Sequence, residues 1–316
     1  MDGYKIIAVL GATGAQGGGL VRTILEDSTG EFKVRVLTRD VNSEKSKALS
    51  EMGAEVVAVD IDNYESLVSA FTGAYGVYAV TFFWEHFSPE KEVKQAESIA
   101  KAAKETGVQH VIWSTLEDTR NWVPLDDNSI PTLNEKYKVP HFDGKGEADK
   151  FFTEFGVPTT FLLTSFYWDN LIYFGMGPKK GEDGSLTFAL PMMDKPLSGI
   201  AAEDIGKCAY GIFKRGSEFI GKRVGIAGEH ISGQAMANAL SDKLNEPVNY
   251  FAVPFDTYRQ FDFPGADDLG NMFQFKHDYN DYFVGARSIE LSKSLNPTLL
   301  NFEGWLSKYK EKIPIE

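Results

Sequence analysis

At 316 residues the chain has room for two average domains or one large α/β domain with insertions, and 43% hydrophobic with 24% charged residues excludes a disordered or fibrous chain. The 32 Lys and Arg against 45 Asp and Glu leave a net charge of −13, which opposes broad contact with nucleic acid or an anionic membrane surface but leaves room for a basic pocket holding one phosphate. A single cysteine, Cys208, excludes an internal disulfide framework and a Cys-rich zinc site, so a cytoplasmic or nuclear location is expected.

The N-terminus carries no charged leader feeding a long apolar segment, and no run of about 18 apolar residues occurs, so neither a signal peptide nor a membrane span is expected. The first half alternates short apolar runs with longer amphipathic ones. Strands are expected at 5–10, 33–38, 55–59, 76–81, 108–114 and 157–163, and helices at 15–27, 43–52, 64–71, 89–106 and 144–155. Strands so apolar are covered on both faces, and the helices between them supply right-handed crossovers, so the fold class is α/β, a Rossmann-type doubly wound parallel sheet. From Thr164 onward the regularity degrades, with turn-rich segments at 175–178 and 181–184 and isolated helices at 202–214, 232–244 and 298–312. Residues 1–164 are therefore read as a dinucleotide-binding domain, and 165–316 as a smaller irregular α+β portion that covers the cofactor and substrate cleft without being an independent unit. The segment 117–140, with three prolines and several Asn and Asp, is longer than an ordinary connection and reads either as a functional loop or as a surface insertion.

Gly11, Ala12, Thr13, Gly14, Ala15, Gln16 and Gly17 follow the first strand directly and open the first helix, which is the context of a dinucleotide fingerprint. Gly11 permits the tight turn, Gly14 lets the backbone approach a pyrophosphate, and Gly17 allows the helix to pack closely. The second strand ends in Thr38-Arg39-Asp40, where an NAD-preferring site would place an acid on the ribose. A guanidinium at Arg39 can meet a 2′-phosphate bidentately, which predicts NADP(H) over NAD(H); Asp40 could instead take the ribose hydroxyls. Asp60 and Ile61 end the third strand and suit the adenine. Thr81 and Phe82 end the fourth and suit the ribose and nicotinamide side.

The catalytic tyrosine of a short-chain dehydrogenase is missing. In the segment His141-Phe142-Asp143-Gly144-Lys145 the lysine is in place, and His141 stands where the tyrosine is expected. His141 could exchange a proton, cap the following helix or face solvent; Lys145 reads as a ligand of the nicotinamide ribose before it reads as an acid. Ser114 stands at the end of the fifth strand, where a carbonyl-binding hydroxyl would be. These three are the catalytic candidates. The only literal Tyr-x-x-x-Lys, Tyr210 to Lys214, falls on a helix in the C-terminal half and is explained by helical periodicity. The five histidines show no metal-ligand spacing, so no metal site is expected.

Taken together, residues 11–18, 34–39, 53–57, 92–95, 141–147, 167–170 and 263–273 resemble the NmrA-like family of atypical short-chain dehydrogenases. The last segment resembles in particular its redox-sensor branch. The resemblance implies an NADP-binding protein that lacks the dehydrogenase tyrosine and senses NADPH status by changing shape and partners. It implies cofactor contacts at Gly11 through Gln16, Arg39, Asp60, Ile61, Thr81, Phe82, Lys94 and Lys145, and along Tyr167, Trp168, Asp169 and Asn170. The chain departs from the family pattern in the long insertion around 121–137. Two functions follow as expectations: a sensor acting through conformation, dimerisation or a protein partner, or an NADPH-dependent reductase of a small quinone, enone, carbonyl or imine that uses Lys145 with His141 or Ser114. In the sensor reading the moving parts are expected to be 117–140 and the segment after Tyr167.

Overall fold

The apolar run Lys-Ile-Ile-Ala-Val forms the first strand, β1 (Lys5–Val9), at the centre of a parallel sheet that is covered on both faces. The computed structural model describes residues 3–315. The central sheet contains β1, β2 (Phe32–Thr38), β3 (Glu55–Ala58), β4 (Gly76–Ala79), β5 (His110–Thr115), β6 (Thr159–Leu163) and β7 (Arg223–Gly225). Their order is β7-β6-β5-β4-β1-β2-β3, with every neighbouring pair parallel. The chain reverses direction across the sheet between β1 and β4, so a crevice opens beyond their C-terminal ends.

The flanking helices relevant to that crevice are α1 (Ala15–Glu26), α2 (Glu44–Glu51), α3 (Tyr64–Phe71), α4 (Phe83–His86), α5 (Pro89–Glu105) and α6 (Pro140–Glu154). Side-chain caps from Ser43, Asn63 and Ser88 start α2, α3 and α5, each accepting a backbone N–H that the helix itself cannot satisfy. α6 begins at Pro140 instead of near Gly144. Proline suits the first helical position, and the buried Asp143 carboxylate accepts the backbone N–H groups of Lys138 and Val139, so the helix gains a turn at its start. His141 consequently lies inside the first turn rather than capping the helix.

Two segments from beyond residue 164 return to the nucleotide half. β7 extends the sheet beside β6, and the helix Ala202–Lys214 crosses α1 so closely that a Cβ on Gly206 would overlap the Leu20 amide, and one on Gly19 the Glu203 carbonyl. The run Gly17-Gly18-Gly19 thus serves two contacts, the turn on one side and this crossing on the other. Tyr210 and Lys214 bond Asp27 and Glu31 at the far end of the same crossing, away from the crevice. The rest of the C-terminal part holds two three-stranded sheets around a second apolar core with Trp168, Phe188, Phe273, Phe302 and Trp305.

The segment 117–140 is pinned rather than free. Val123, Ile130, Tyr137 and Val139 are buried, and the Lys138 ammonium donates to the carbonyls of Asp127 and Ile130 and to the Thr132 hydroxyl at 2.6 to 2.8 Å. Asn271, on the helix Ala266–Asp278, donates to the carbonyls of Pro131 and Lys138. These bonds satisfy many of its backbone groups and clasp the insertion onto the helix Ala266–Asp278.

Candidate functional site

The turn after β1 places Gly11 at φ +65°, the left-handed region that glycine tolerates. A Cβ on Gly17 would lie 2.5 Å from the Gly11 carbonyl, so helix and turn pack without room for a side chain. The Gly14 amide donates to the Gly11 carbonyl at 2.9 Å. Gly14 caps α1 with no side-chain bond and the first turn carries no acid, so the leading N–H groups of α1 keep their positive end for an anion. Ala12 is buried beneath the turn, whereas Gly14 and Ala15 are exposed at its mouth.

A groove of about 490 Å³ at the ends of β2 and β3 is lined by Arg39, Ala58, Val59, Asp60 and Ser66. Arg39 and Asp60 therefore share one cavity, as expected of an adenosine end. Ile61 is half-buried behind them and packs on the main core. Arg39 does not project freely. Its guanidinium makes a bidentate pair with Glu85 of α4, at 2.7 and 2.8 Å, with the two side chains 70% and 49% exposed.

At the other end, Lys145 is buried on α6. Its Nζ lies 2.5 Å from Glu92 Oε1 and donates to the Thr81 hydroxyl at 2.7 Å, and that hydroxyl donates onward to the same carboxylate at 2.6 Å. Burial pushes the Glu92 carboxyl up, but the Lys145 ammonium, helped by His86 and Thr81, overrides it and holds the pKa at about 2. His86 accepts the Ser88 amide at Nδ1, which assigns its proton to Nε2, 3.5 Å from the other Glu92 oxygen. His141, one turn before Lys145, is tied to Asp268: Nδ1 stands 2.6 Å from one carboxylate oxygen while the His141 amide donates to the other. Trp84 covers the imidazole, with ring centroids 4.8 Å apart.

Ser114 and Gln16 meet in a polar cluster between sheet and α1. The Gln16 side-chain oxygen accepts from Ser114, at 2.8 Å, and from Tyr78, and its amide nitrogen donates to the Tyr167 hydroxyl at 2.6 Å. Phe82 lies over Gly11. The Trp168 side chain turns away into the second core against Phe302 and Trp305, and Asp169 accepts the amide of Ala202 at the start of the next helix. Asn170 opens a short helix, Asn170–Tyr173, and Lys94 stands exposed on α5. The structure thus gathers Gly11 to Gly17, Arg39, Asp60, Thr81, Phe82, Lys145 and Tyr167 around one crevice. The side chains of Trp168 and Asp169 fall outside it.

Four residues of the site were not legible as such: Glu85, His86, Glu92 and Asp268. Only Glu92 leaves a local signal, since it occupies the same helical stripe as the buried Ala96, Ile99 and Ala103. Among the described residues no group of His, Cys, Asp and Glu could hold a metal ion, and no helix is long and apolar enough to cross a membrane.

Comparison with known proteins agrees with this geometry. The model of the NmrA-like family matches residues 3–306. An NmrA-like family domain-containing protein of Dictyostelium discoideum is 27% identical, over 98% of this chain and 99% of its own. The NmrA-like family domain-containing oxidoreductase malD of Malbranchea aurantiaca is 28% identical over 78% of this chain and 75% of its own. Among solved structures, NmrA, a negative transcriptional regulator in complex with NADP, shares the fold with a TM-score of 0.77, at 23% identity and covering 96% of this chain and 94% of that one. The chain is a member of the NmrA-like family.

Proposed function

We propose that this protein binds NADP(H) and acts as a regulatory sensor of the NADPH/NADP⁺ balance, with residues 165–316 covering the cleft. The observation that carries the reading is the glycine-rich, uncapped start of α1 at the end of β1, next to the end of the neighbouring β2, where Arg39 lines a groove with Asp60. The residues fit such a ligand. Gly11 to Gly17 leave space and free N–H groups for a pyrophosphate, Arg39 offers a fork for the 2′-phosphate, Asp60 and Ile61 border the adenine, and Thr81, Phe82 and Lys145 border the nicotinamide ribose. The solved NmrA complex with NADP supports the same cofactor.

Sensing is favoured over turnover because two of the three candidate groups at the chemical end, Ser114 and Lys145, already have partners within the protein. Ser114 donates to Gln16, and Lys145 is held by Glu92 and Thr81. A sensor works only through differential affinity for two states, so occupancy must alter conformation, dimerisation or access to a protein partner. Hydrogen exchange and scattering with and without NADPH test this; superimposable profiles at saturating cofactor refute it.

One observation favours a second reading, an NADPH-dependent reductase. Bound NADPH supplies a hydride, and a reductase then needs a proton donor near the acceptor. His141, oriented by Asp268 through Nδ1, leaves Nε2 without a protein partner among the described residues. The Malbranchea aurantiaca relative is named an oxidoreductase. Saturable NADPH oxidation with a quinone, enone or imine, lost in Lys145→Ala while cofactor binding persists, would replace the sensor reading with this one.

A further inference from the structure

Helix α4 is four residues long, and together its residues engage three parts of the crevice: His141, Arg39 and Glu92. Phe83 is buried against His141, and Trp84 covers the same imidazole and abuts Gly265, where a Cβ would come within 2.8 Å of the indole. Glu85 pairs with Arg39, and His86 faces Glu92, the partner of Lys145. The order β4-β1-β2 gives the Arg39–Glu85 pair its meaning. Arg39 follows β2 and Glu85 follows β4, so the pair reaches across the end of β1, over the glycine-rich turn that lies between them.

We infer that Glu85 is the resident occupant of the 2′-phosphate position, an internal carboxylate that holds Arg39 until the phosphate displaces it and so couples recognition of that phosphate to the position of α4. The inference rests on the NADP(H) reading above and adds to it a specificity residue and a route of coupling. A carboxylate and a phosphate present the same bidentate acceptor geometry to a guanidinium, so one arginine cannot serve both at once. The resident pair is solvent-exposed and correspondingly weak, and a phosphate carrying close to two charges outcompetes it. Once Glu85 is released, α4 loses its anchor on the adenosine side while Trp84 and His86 remain in contact with His141 and Glu92. A ligand lacking the 2′-phosphate leaves the pair closed, so its binding sends no signal through α4.

The test compares the full-length protein with Glu85→Gln and Trp84→Phe, using NADPH, NADH, 2′,5′-ADP and 5′-AMP as probes in calorimetric and tryptophan-fluorescence titrations. Glu85→Gln removes the competitor's charge. NADPH and 2′,5′-ADP are expected to bind roughly two- to fivefold more tightly, the size of one exposed ion pair, while NADH and 5′-AMP are unchanged. The fragment 2′,5′-ADP reaches only the adenosine end. In the wild type it is expected to change the fluorescence of Trp84, with the change absent for 5′-AMP and lost in Trp84→Phe. Equal or weaker binding of NADPH by Glu85→Gln, or the same fluorescence response to both fragments, overturns the inference while leaving cofactor binding standing. Failure of the wild type to bind either dinucleotide overturns the cofactor reading itself, and this inference with it.

Discussion

The Lys145 ammonium lies 2.5 Å from the carboxylate of Glu92, a side chain with no solvent exposure, so the best candidate for chemistry in this protein is one half of a buried ion pair. Truncating one partner of such a pair leaves the other charged in a low-dielectric setting. Glu92→Ala is therefore expected to destabilise the protein by about 3–5 kcal/mol in urea unfolding. The pH dependence has a defined sign. The folded pKa of Glu92, about 2, lies below its ordinary 4.5, so its contribution is fully present above 4.5 and is lost as pH falls from there toward 2. Glu92→Gln should flatten stability against pH in that acid window. An unchanged slope would show that other carboxylates govern acid unfolding.

Arg39→Ala tests the adenosine end from the cation's side of the Arg39–Glu85 pair. Charge-assisted hydrogen bonds to a phosphate contribute about 1.5–3 kcal/mol, so NADPH affinity is expected to fall roughly 10- to 100-fold. NADH affinity should stay close to that of the wild type. Equal losses for both cofactors in parallel titrations would mean that Arg39 supports the groove without reading the 2′-phosphate.

The crossing of α1 with the helix Ala202–Lys214 leaves no space for a methyl group at Gly206, whose added Cβ would overlap the Leu20 amide. Backbone cannot rotate aside as a side chain can. Gly206→Ala is expected to cost about 1–3 kcal/mol or more as the helices are forced apart and α1 shifts under the glycine-rich turn. Gly285→Ala is the control, since a Cβ there meets nothing within 4 Å and alanine favours the helix. Thermal unfolding should separate the two variants. Similar melting temperatures would argue against the close crossing.

How much of this was readable from sequence depended on whether the determining contact was local. The helices Tyr64–Phe71 and Ala202–Lys214 follow from apolar periodicity residue for residue, and the fingerprint follows from glycines placed between a strand and a helix. β7 is three residues long and exists as a strand because it pairs with β6, which no local pattern announces. The helix Ala266–Asp278 was missed because Asp267, Asp268 and Gly270 blur its apolar stripe. Its buried Asp268 is explained only by His141, 127 residues away. Likewise Arg39 is singled out by sequence as a candidate phosphate ligand, but Glu85, 46 residues further on, is not legible as its partner. Sequence reasoning found the groups that would face a ligand and missed the carboxylates that hold those groups.

A second buried lysine carries the last prediction. Lys276 is 3% exposed on the helix Ala266–Asp278, with its ammonium over the rings of Phe142, Phe273 and Phe283 at 5.2 to 5.7 Å. Burial and, to a lesser extent, Arg287 lower its pKa to about 7 against the opposing pull of Glu117, which sits in its own bidentate pair with Arg287. The three rings attract the cation, yet desolvation outweighs them. The folded state therefore holds this proton less tightly than the unfolded chain, whose lysine titrates at its ordinary 10.5. The penalty is fully present below pH 7 and fades as pH rises from 7 to 10.5, so Lys276 adds an upward slope to stability across that window. Lys276→Met keeps the chain length and removes the charge, and replacing a buried ionisable group by an apolar one of similar volume is often stabilising. The variant should be more stable than the wild type at pH 6, and the gain should shrink toward pH 10. A gain that is constant with pH would place the lysine's ordinary titration in the folded state and refute the burial argument.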